Sequence, residues 1–427
     1  MSEVKPFKGL SYDPDKIGGC YSLVCAPPYD VISPAEQDAL YARSEYNIIR
    51  LILGKSFPKD DERDNKYTRA MRLLKEWTDK GIMRRDTVES FYVYLQEYEA
   101  GGAKHRRLGF MGLMKIEESG EKMVLPHEHT LAKPKEDRMD LIRQIRGNLS
   151  PIFSLFLDET GEVEEILEES VSGGDPSVDI EIDGVRHMLW RLSDKDGQIR
   201  ISKKLRDKKM FIADGHHRYA VAKSYRDMMR NEAGYDGNAD HILMYFADMR
   251  SDDNLTVMAT HRVLKKMPVF DDAGMVARLD GYFNIKRCDS LKSLMKSLDS
   301  ASENHVFGFF GGNEYLLLEL KDDIIAEELV RSEKSPGWKR LDVSILHSSI
   351  FEDLLEIDEE EGNIIYTRDA EEAEEAVSGG KAEGAFFLNP TRVAQLKAVA
   401  ESGDMMPQKS TYFYPKLLTG LVINKFE

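Results

Sequence analysis

The stretch Lys209-Met-Phe-Ile-Ala-Asp-Gly-His-His-Arg-Tyr219 decides how this chain is read. Its apolar run up to Ala213 predicts a short buried strand. Asp214-Gly215 then turns the chain, and the residues that follow predict a helix reaching about Arg230. At the start of a helix the first backbone N–H groups have no partner within it, and they carry the positive end of the helix dipole. Such a junction suits a phosphate. His216, His217 and Arg218 add donors, and an arginine can grip two phosphate oxygens at once. The expected phosphate- or nucleotide-binding residues are therefore Asp214, Gly215, His216, His217 and Arg218. A plainer alternative has Asp214 capping the helix and both histidines as surface polar residues. Asp214 itself repels phosphate, so it either caps the helix N–H groups or reaches the phosphates through a divalent cation, Mg2+ being the expected one.

Working outward, the second informative segment is Leu125-Pro-His-Glu-His-Thr130. In an extended chain His127 and His129 share one face, and histidines so placed can chelate a metal, although spacing supplies no third ligand. Glu128 points the other way and is the candidate general base for a hydroxyl; a salt-bridged surface glutamate is the alternative. His216 and His217 are adjacent, so their side chains diverge by about 100° and they do not share one ion. Thr260-His-Arg262 closes an expected strand, and an ordinary surface pair is the favoured reading of it. Gln408-Lys-Ser-Thr-Tyr-Phe-Tyr-Pro-Lys416 sets hydroxyls and two lysines among aromatics, a composition that suits an anionic group and equally an ordinary edge strand. Walker-type, GxGxxG and Gly-x-Ser-x-Gly motifs are absent from the sequence.

Around these motifs the pattern is mixed. Ser33-Pro34 with Glu36 predicts a helix over about 34–43, and Asn47-Ile-Ile-Arg-Leu-Ile-Leu53 predicts a strand. A hairpin is expected from Phe91–Glu97 and Arg107–Ile116 around Ala100-Gly-Gly-Ala103. Helices follow at about Lys135–Arg146 and Glu162–Glu169, and a strand at Met188–Leu192. From about Pro268 onward helix and strand alternate in what reads as a separate α/β or α+β domain. The division expected is an N-terminal α/β region over 1–115, a phosphate-binding core over 116–266 and a C-terminal α/β domain over 267–427.

Composition bounds the function. The chain has 427 residues, long enough for two or three domains, with 41% apolar residues to build their cores. Its formal charge of −17 repels nucleic acid, whose binding rests on a basic face, while a local basic pocket can still take a small anion. Three cysteines, Cys20, Cys25 and Cys288, form neither a disulfide framework nor a four-ligand zinc pattern. No secretory leader and no run of about 18 apolar residues is present, so a membrane partner is not expected and the cytoplasm is the expected location.

Taken together, the motifs resemble a known family. The chain is similar, nearly end to end, to the domain-of-unknown-function family 1015. The match runs through Ala26-Pro-Pro-Tyr-Asp-Val-Ile-Ser33, Asn47 to Gly54, Pro126 to Thr130, Asp137-Arg138, Ser150-Pro151, Ala213 to Tyr219, Thr260 to Arg262, Leu341-Asp-Val343 and Met406 to Thr411. That family in turn resembles the ParB/sulfiredoxin-like group, which includes free-serine kinases. Those kinases carry a Pro-His-Glu segment and then Asp-Gly-His-His-Arg, the order in which Pro126-His127-Glu128 and Asp214 to Arg218 stand here. The resemblance implies an α+β fold with a ParB/sulfiredoxin-like core, Glu128 as base, and Gly215 to Arg218 as phosphate cradle. It further implies a small-molecule kinase that uses Mg2+ with ATP, ADP or pyrophosphate and phosphorylates free L-serine. Asp30, His127, Arg138, His261, Arg262 and Lys409 are the candidates for the acceptor side. Two other readings stay open: a ParB-like nucleotide-binding regulator, and a metal-dependent phosphoesterase built on His127 and His129.

Overall fold

The structure is a computed structural model that describes residues 2–118, 120–128, 132–250, 255–268, 272–357, 362–407 and 409–426. It is a mixed α+β fold in two compact units. The first comprises residues 1–126, 130–256 and 415–427; the second comprises 127–129 and 257–414.

The first unit is built on a nine-stranded sheet. Its strand order is Val124–Leu125, Met210–Asp214, Ile152–Phe156, His241–Asp248, Ala103–Lys115, Phe91–Ala100, Val185–Leu192 and Val178–Ile182, with Val4–Lys5 also pairing with Ala103–Lys115. The central hairpin is set locally. Phe91–Ala100 and Ala103–Lys115 pair antiparallel, with Ala100 opposite Ala103. Gly101 and Gly102 both adopt positive φ, 58° and 78°, which a two-residue hairpin turn requires and glycine grants without a Cβ penalty. Met210–Asp214 runs antiparallel to Ile152–Phe156 and parallel to Val124–Leu125. One face of the sheet is sealed by Phe110, Trp190, Ile212, Met244 and Phe246. Helices Ala132–Ile145 and His216–Met229 pack on each other through Ile142, Val221 and Tyr225.

Strands from residues 1–115 and from 116–256 thus share one sheet. The helix expected at 34–43 spans Pro34–Arg43, with Ser33 and Glu36 forming a reciprocal capping box. The strand expected over 47–53 is not one: Ile49–Ile52 is a single helical turn. Asn47 forces the turn, because its carboxamide accepts the Ile49 N–H at 2.9 Å and donates to the carbonyls of Leu23 and Cys25. That local hydrogen bonding competes with a sheet ladder.

The second unit carries a wholly antiparallel six-stranded sheet. Its order is Phe283–Cys288, Tyr315–Leu320, Val306–Phe310, Gly384–Leu388, His261–Leu264 and Ile364–Thr367. Phe307, Leu318, Phe351 and Phe386 fill one side of it, and Val263, Leu294 and Phe387 the other. Among the described residues no helix is long and apolar enough to cross a membrane.

Candidate phosphate-binding site

The strand Met210–Asp214 is buried through Ala213 and delivers Asp214 to its end. Gly215 follows with φ +102°, a conformation that L side chains rarely adopt, and helix His216–Met229 begins at once. Gly215 has no side chain with which to cap that helix, so the turn presents backbone and dipole at its N-terminus. Arg218, one turn on, folds back over the glycine: its guanidinium lies 3.1 Å from where a Cβ on Gly215 would stand. The guanidinium donates to the carbonyl of Pro151 and lies 3.7 Å from Asp214.

Asp214 is resolved in a way the sequence did not indicate. Its Oδ2 accepts from the ammonium of Lys416 at 3.2 Å, and Arg218 is its second cation. Burial alone would raise the Asp214 carboxyl, but Lys416 and Arg218 hold it well below the ordinary carboxylate range. Its repulsion toward a phosphate is therefore offset within the protein. His216 is buried, and burial lowers its imidazole to about 4 against the pull of Asp214. At neutral pH it can offer a hydrogen bond but no charge. His217 is half-buried.

Arg138 joins this region from helix Ala132–Ile145. It is 8% exposed, donates to the carbonyl of Ile52 at 2.9 Å, and stands 3.9 Å from the centroid of the Tyr29 ring. Its neighbour Asp137 accepts from Arg138, from Lys66, and from the Tyr67 hydroxyl at 2.8 Å. Burial opposes ionisation of Asp137, yet Arg138 and Lys66 bring it down to about 2. Two carboxylates, Asp137 and Asp214, thus hold two cations each. Tyr29, Arg138, Ser150 and Arg218 line a common cleft of about 60 Å³. The Tyr29 phenol is raised by burial and by Asp30, with Arg138 and Arg218 acting the other way. Asp30 itself is exposed on the short turn Tyr29–Val31.

The remaining candidates lie in the second unit. His127 is fully buried; its carbonyl accepts from Met406 N–H at 2.6 Å and its Nε2 sits 3.1 Å from the Thr411 hydroxyl. Glu128 is half-buried and bridges to Met406. His129, the other half of the suggested metal pair, lies outside the described residues, and among those described no group of three potential metal ligands occurs. Thr260-His-Arg262 does not close a strand as a surface pair: His261 opens the strand His261–Leu264 and is buried. Burial lowers His261 to about 4. Arg262 is also buried and spends its guanidinium on the Thr260 carbonyl, His347 and the Lys409 carbonyl. Lys409 takes φ +56° in that loop.

The structure places Asp30, Arg138, Asp214, Gly215, His216, His217 and Arg218 in the first unit, and His127, Glu128, His261, Arg262 and Lys409 in the second. Sequence reasoning assigned His127, Glu128, His261 and Arg262 to one core with Asp214 to Arg218. It missed Lys416, Tyr29 and Lys66. Lys416 and Tyr29 stood inside quoted segments, but their partners lie 202 residues away in one case and 109 in the other, beyond the reach of any local pattern.

Comparisons bear on the family and not on the chemistry. A free serine kinase in complex with AMP is 13% identical, covering 70% of this chain and 86% of that one, with a TM-score of 0.34. A conserved hypothetical protein from Pyrococcus furiosus is 12% identical over 74% of this chain and 94% of that chain, also with a TM-score of 0.34. SbnI with a C-terminal truncation, from Staphylococcus aureus, is 11% identical over 73% and 86%, with a TM-score of 0.35. No match is found among curated proteins. The family model described as protein of unknown function DUF1015 matches residues 4–344, four-fifths of the chain, and the chain belongs to that family.

Proposed function

We propose that this protein is a small-molecule kinase built around a ParB/sulfiredoxin-like core, transferring a phosphoryl group to a hydroxyl, with free L-serine as acceptor. The observation that carries the reading is the turn at Asp214-Gly215-His216. There a buried strand enters a helix through a positive-φ glycine, and an arginine is folded back over the turn. Backbone dipole and guanidinium meet where a phosphate would be held. Phosphoryl transfer asks a protein mainly for positioning and charge stabilisation, which such a turn supplies.

In this reading Gly215, His217, Arg218 and the helix start hold the donor's phosphates, with neutral His216 as a hydrogen-bond partner. Glu128 takes the proton of the acceptor hydroxyl as its oxygen bonds to phosphorus. That assignment rests on the order of Pro126-His127-Glu128 and Asp214 to Arg218, which resembles free-serine kinases. Mg2+ travels with ATP, ADP or pyrophosphate and lowers the charge of the transferring group. L-Serine is a compact zwitterion, so its carboxylate needs a cation and its amine an acid; Arg138 and Asp30 have those chemistries.

The test is direct. Purified protein, Mg2+ and each donor in turn are incubated with a mixture of amino acids, and phosphorylated products are sought by mass spectrometry. Phosphoserine from one donor supports the reading. Nucleotide binding without any small-molecule product would replace it with a regulatory one, and hydrolysis dependent on a bound metal with a phosphoesterase.

A further inference from the structure

Lys416 lies beyond the family match, which ends at residue 344, and comes from the C-terminal segment that returns to the first unit at Pro415. What seats it is a polar network in the interior of that unit. Arg107 is fully buried in the central strand Ala103–Lys115. It donates through Nε to the Gln96 carboxamide oxygen at 3.1 Å and through Nη2 to the carbonyl of Pro415. The face of Phe153 lies 4.6 Å from its guanidinium. Gln96, also fully buried, donates to the carbonyl of Lys416 at 3.1 Å. The Tyr94 hydroxyl accepts the Leu418 N–H at 3.4 Å. Three side chains of one sheet therefore grip the backbone of 415, 416 and 418. A charge removed from water is costly unless its hydrogen bonds are used well, and Arg107 uses them to fix one carbonyl of this segment.

The side chain that emerges from the gripped backbone ends on Asp214, at the residue before the phosphate turn. Asp214 already has Arg218 beside it. A second cation on the same carboxylate exceeds what neutralising Asp214 requires. An ammonium is a compact point charge with three donors, well matched to a phosphate oxygen. We propose that Lys416 is a phosphate-contacting residue of the cradle, and that Gln96 and Arg107 are positioning residues that set it. The proposal rests on the phosphate reading of Asp214 to Arg218 and extends the site to the C-terminal segment.

The test uses the full chain, inorganic pyrophosphate with excess Mg2+ as probe, and titration calorimetry. Lys416→Gln removes the charge and offers an amide donor on a slightly shorter side chain; it should weaken binding by about ten- to a hundredfold, while Lys416→Arg stays close to wild type. Gln96→Met should weaken binding severalfold, and the Gln96→Met/Lys416→Gln pair should bind no worse than Lys416→Gln alone, because both changes remove the same contact. Arg107→Lys keeps the buried charge but loses the fork, and it should show the same non-additivity. Binding by Lys416→Gln within twofold of wild type, while Arg218→Ala loses affinity, overturns the role of Lys416 and leaves the cradle standing. Fully additive losses overturn the positioning roles. Wild-type protein that does not bind pyrophosphate overturns the phosphate reading itself.

Discussion

Gly215→Ala is the sharpest perturbation of the site, because it decides by sign as well as by size. At an ordinary position Gly→Ala stabilises a protein by about 0.4–1 kcal/mol, by narrowing the unfolded ensemble. Here φ is +102°, and holding a residue with a Cβ in such a region costs on the order of 1–3 kcal/mol. The new methyl would also sit 3.1 Å from three atoms of the Arg218 guanidinium, closer than ordinary contact. Arg218 is the mobile party and would move, forfeiting its hydrogen bond to the Pro151 carbonyl, worth about 0.5–1.5 kcal/mol. With the unfolded-state gain subtracted, the expected net destabilisation is roughly 0.5–4 kcal/mol. Urea unfolding followed by circular dichroism measures it, and calorimetry with pyrophosphate measures the accompanying loss of affinity. In an Arg218→Ala background the contact disappears, so the same substitution should cost about the backbone strain alone, on the order of 1–3 kcal/mol. A Gly215→Ala protein as stable as wild type, or more stable, with pyrophosphate affinity intact, would refute both the strain and the close approach.

The other predictions concern charge and chemistry. Arg218→Ala should lower pyrophosphate affinity by about ten- to a hundredfold while the protein stays folded; unchanged affinity would confine Arg218 to holding Pro151 and Asp214. Glu128→Gln should cut phosphoserine formation by at least about two orders of magnitude with donor affinity nearly unchanged. Transfer that survives within about threefold would remove Glu128 as the base. Asp214 has a folded carboxyl depressed below its ordinary 3.8, so its stabilisation is fully present above that value and is lost as pH falls through the lower folded one. The stability gap between wild type and Asp214→Asn should therefore close below about pH 4; a gap that stays constant from pH 6 to pH 3 would contradict the pairing with Lys416 and Arg218.

The residues around 209–230 were legible because every signal there is local. Four apolar residues, a glycine and a run of helix formers specify strand, turn and helix without help from the rest of the chain. The hairpin around Gly101-Gly102 and the capping box at Ser33 were readable for the same reason. Asn47–Leu53 misled because a short apolar run fits either a strand or a buried helical turn, and it was the Asn47 side chain that decided between them. The order of the nine strands was out of reach. It places Met210–Asp214 between Val124–Leu125 and Ile152–Phe156, pairings separated by many tens of residues and recorded in no periodicity.

The two lysines of Gln408–Lys416 mark the limit most clearly. Composition treated them alike, as cations among aromatics near an anion, and Lys409 was the one singled out. Yet the chain passes from the second unit to the first between Tyr414 and Pro415, so that the two face different surroundings. Lys409 lends its carbonyl to Arg262, and Lys416 brings its ammonium to Asp214. The dispersed family segments divide in the same way. Tyr29, Ile52, Arg138, Pro151 and Arg218 are tied to one another in the first unit by an arginine over a ring, two carbonyl contacts and a shared cleft. His127, Arg262, Met406 and Thr411 come together in the second unit through hydrogen bonds of the 406–411 stretch. A motif therefore locates a residue along the chain, whereas its role depends on which unit's interior its neighbours grip, and for Lys416 that grip comes from Arg107 and Gln96, more than three hundred residues upstream.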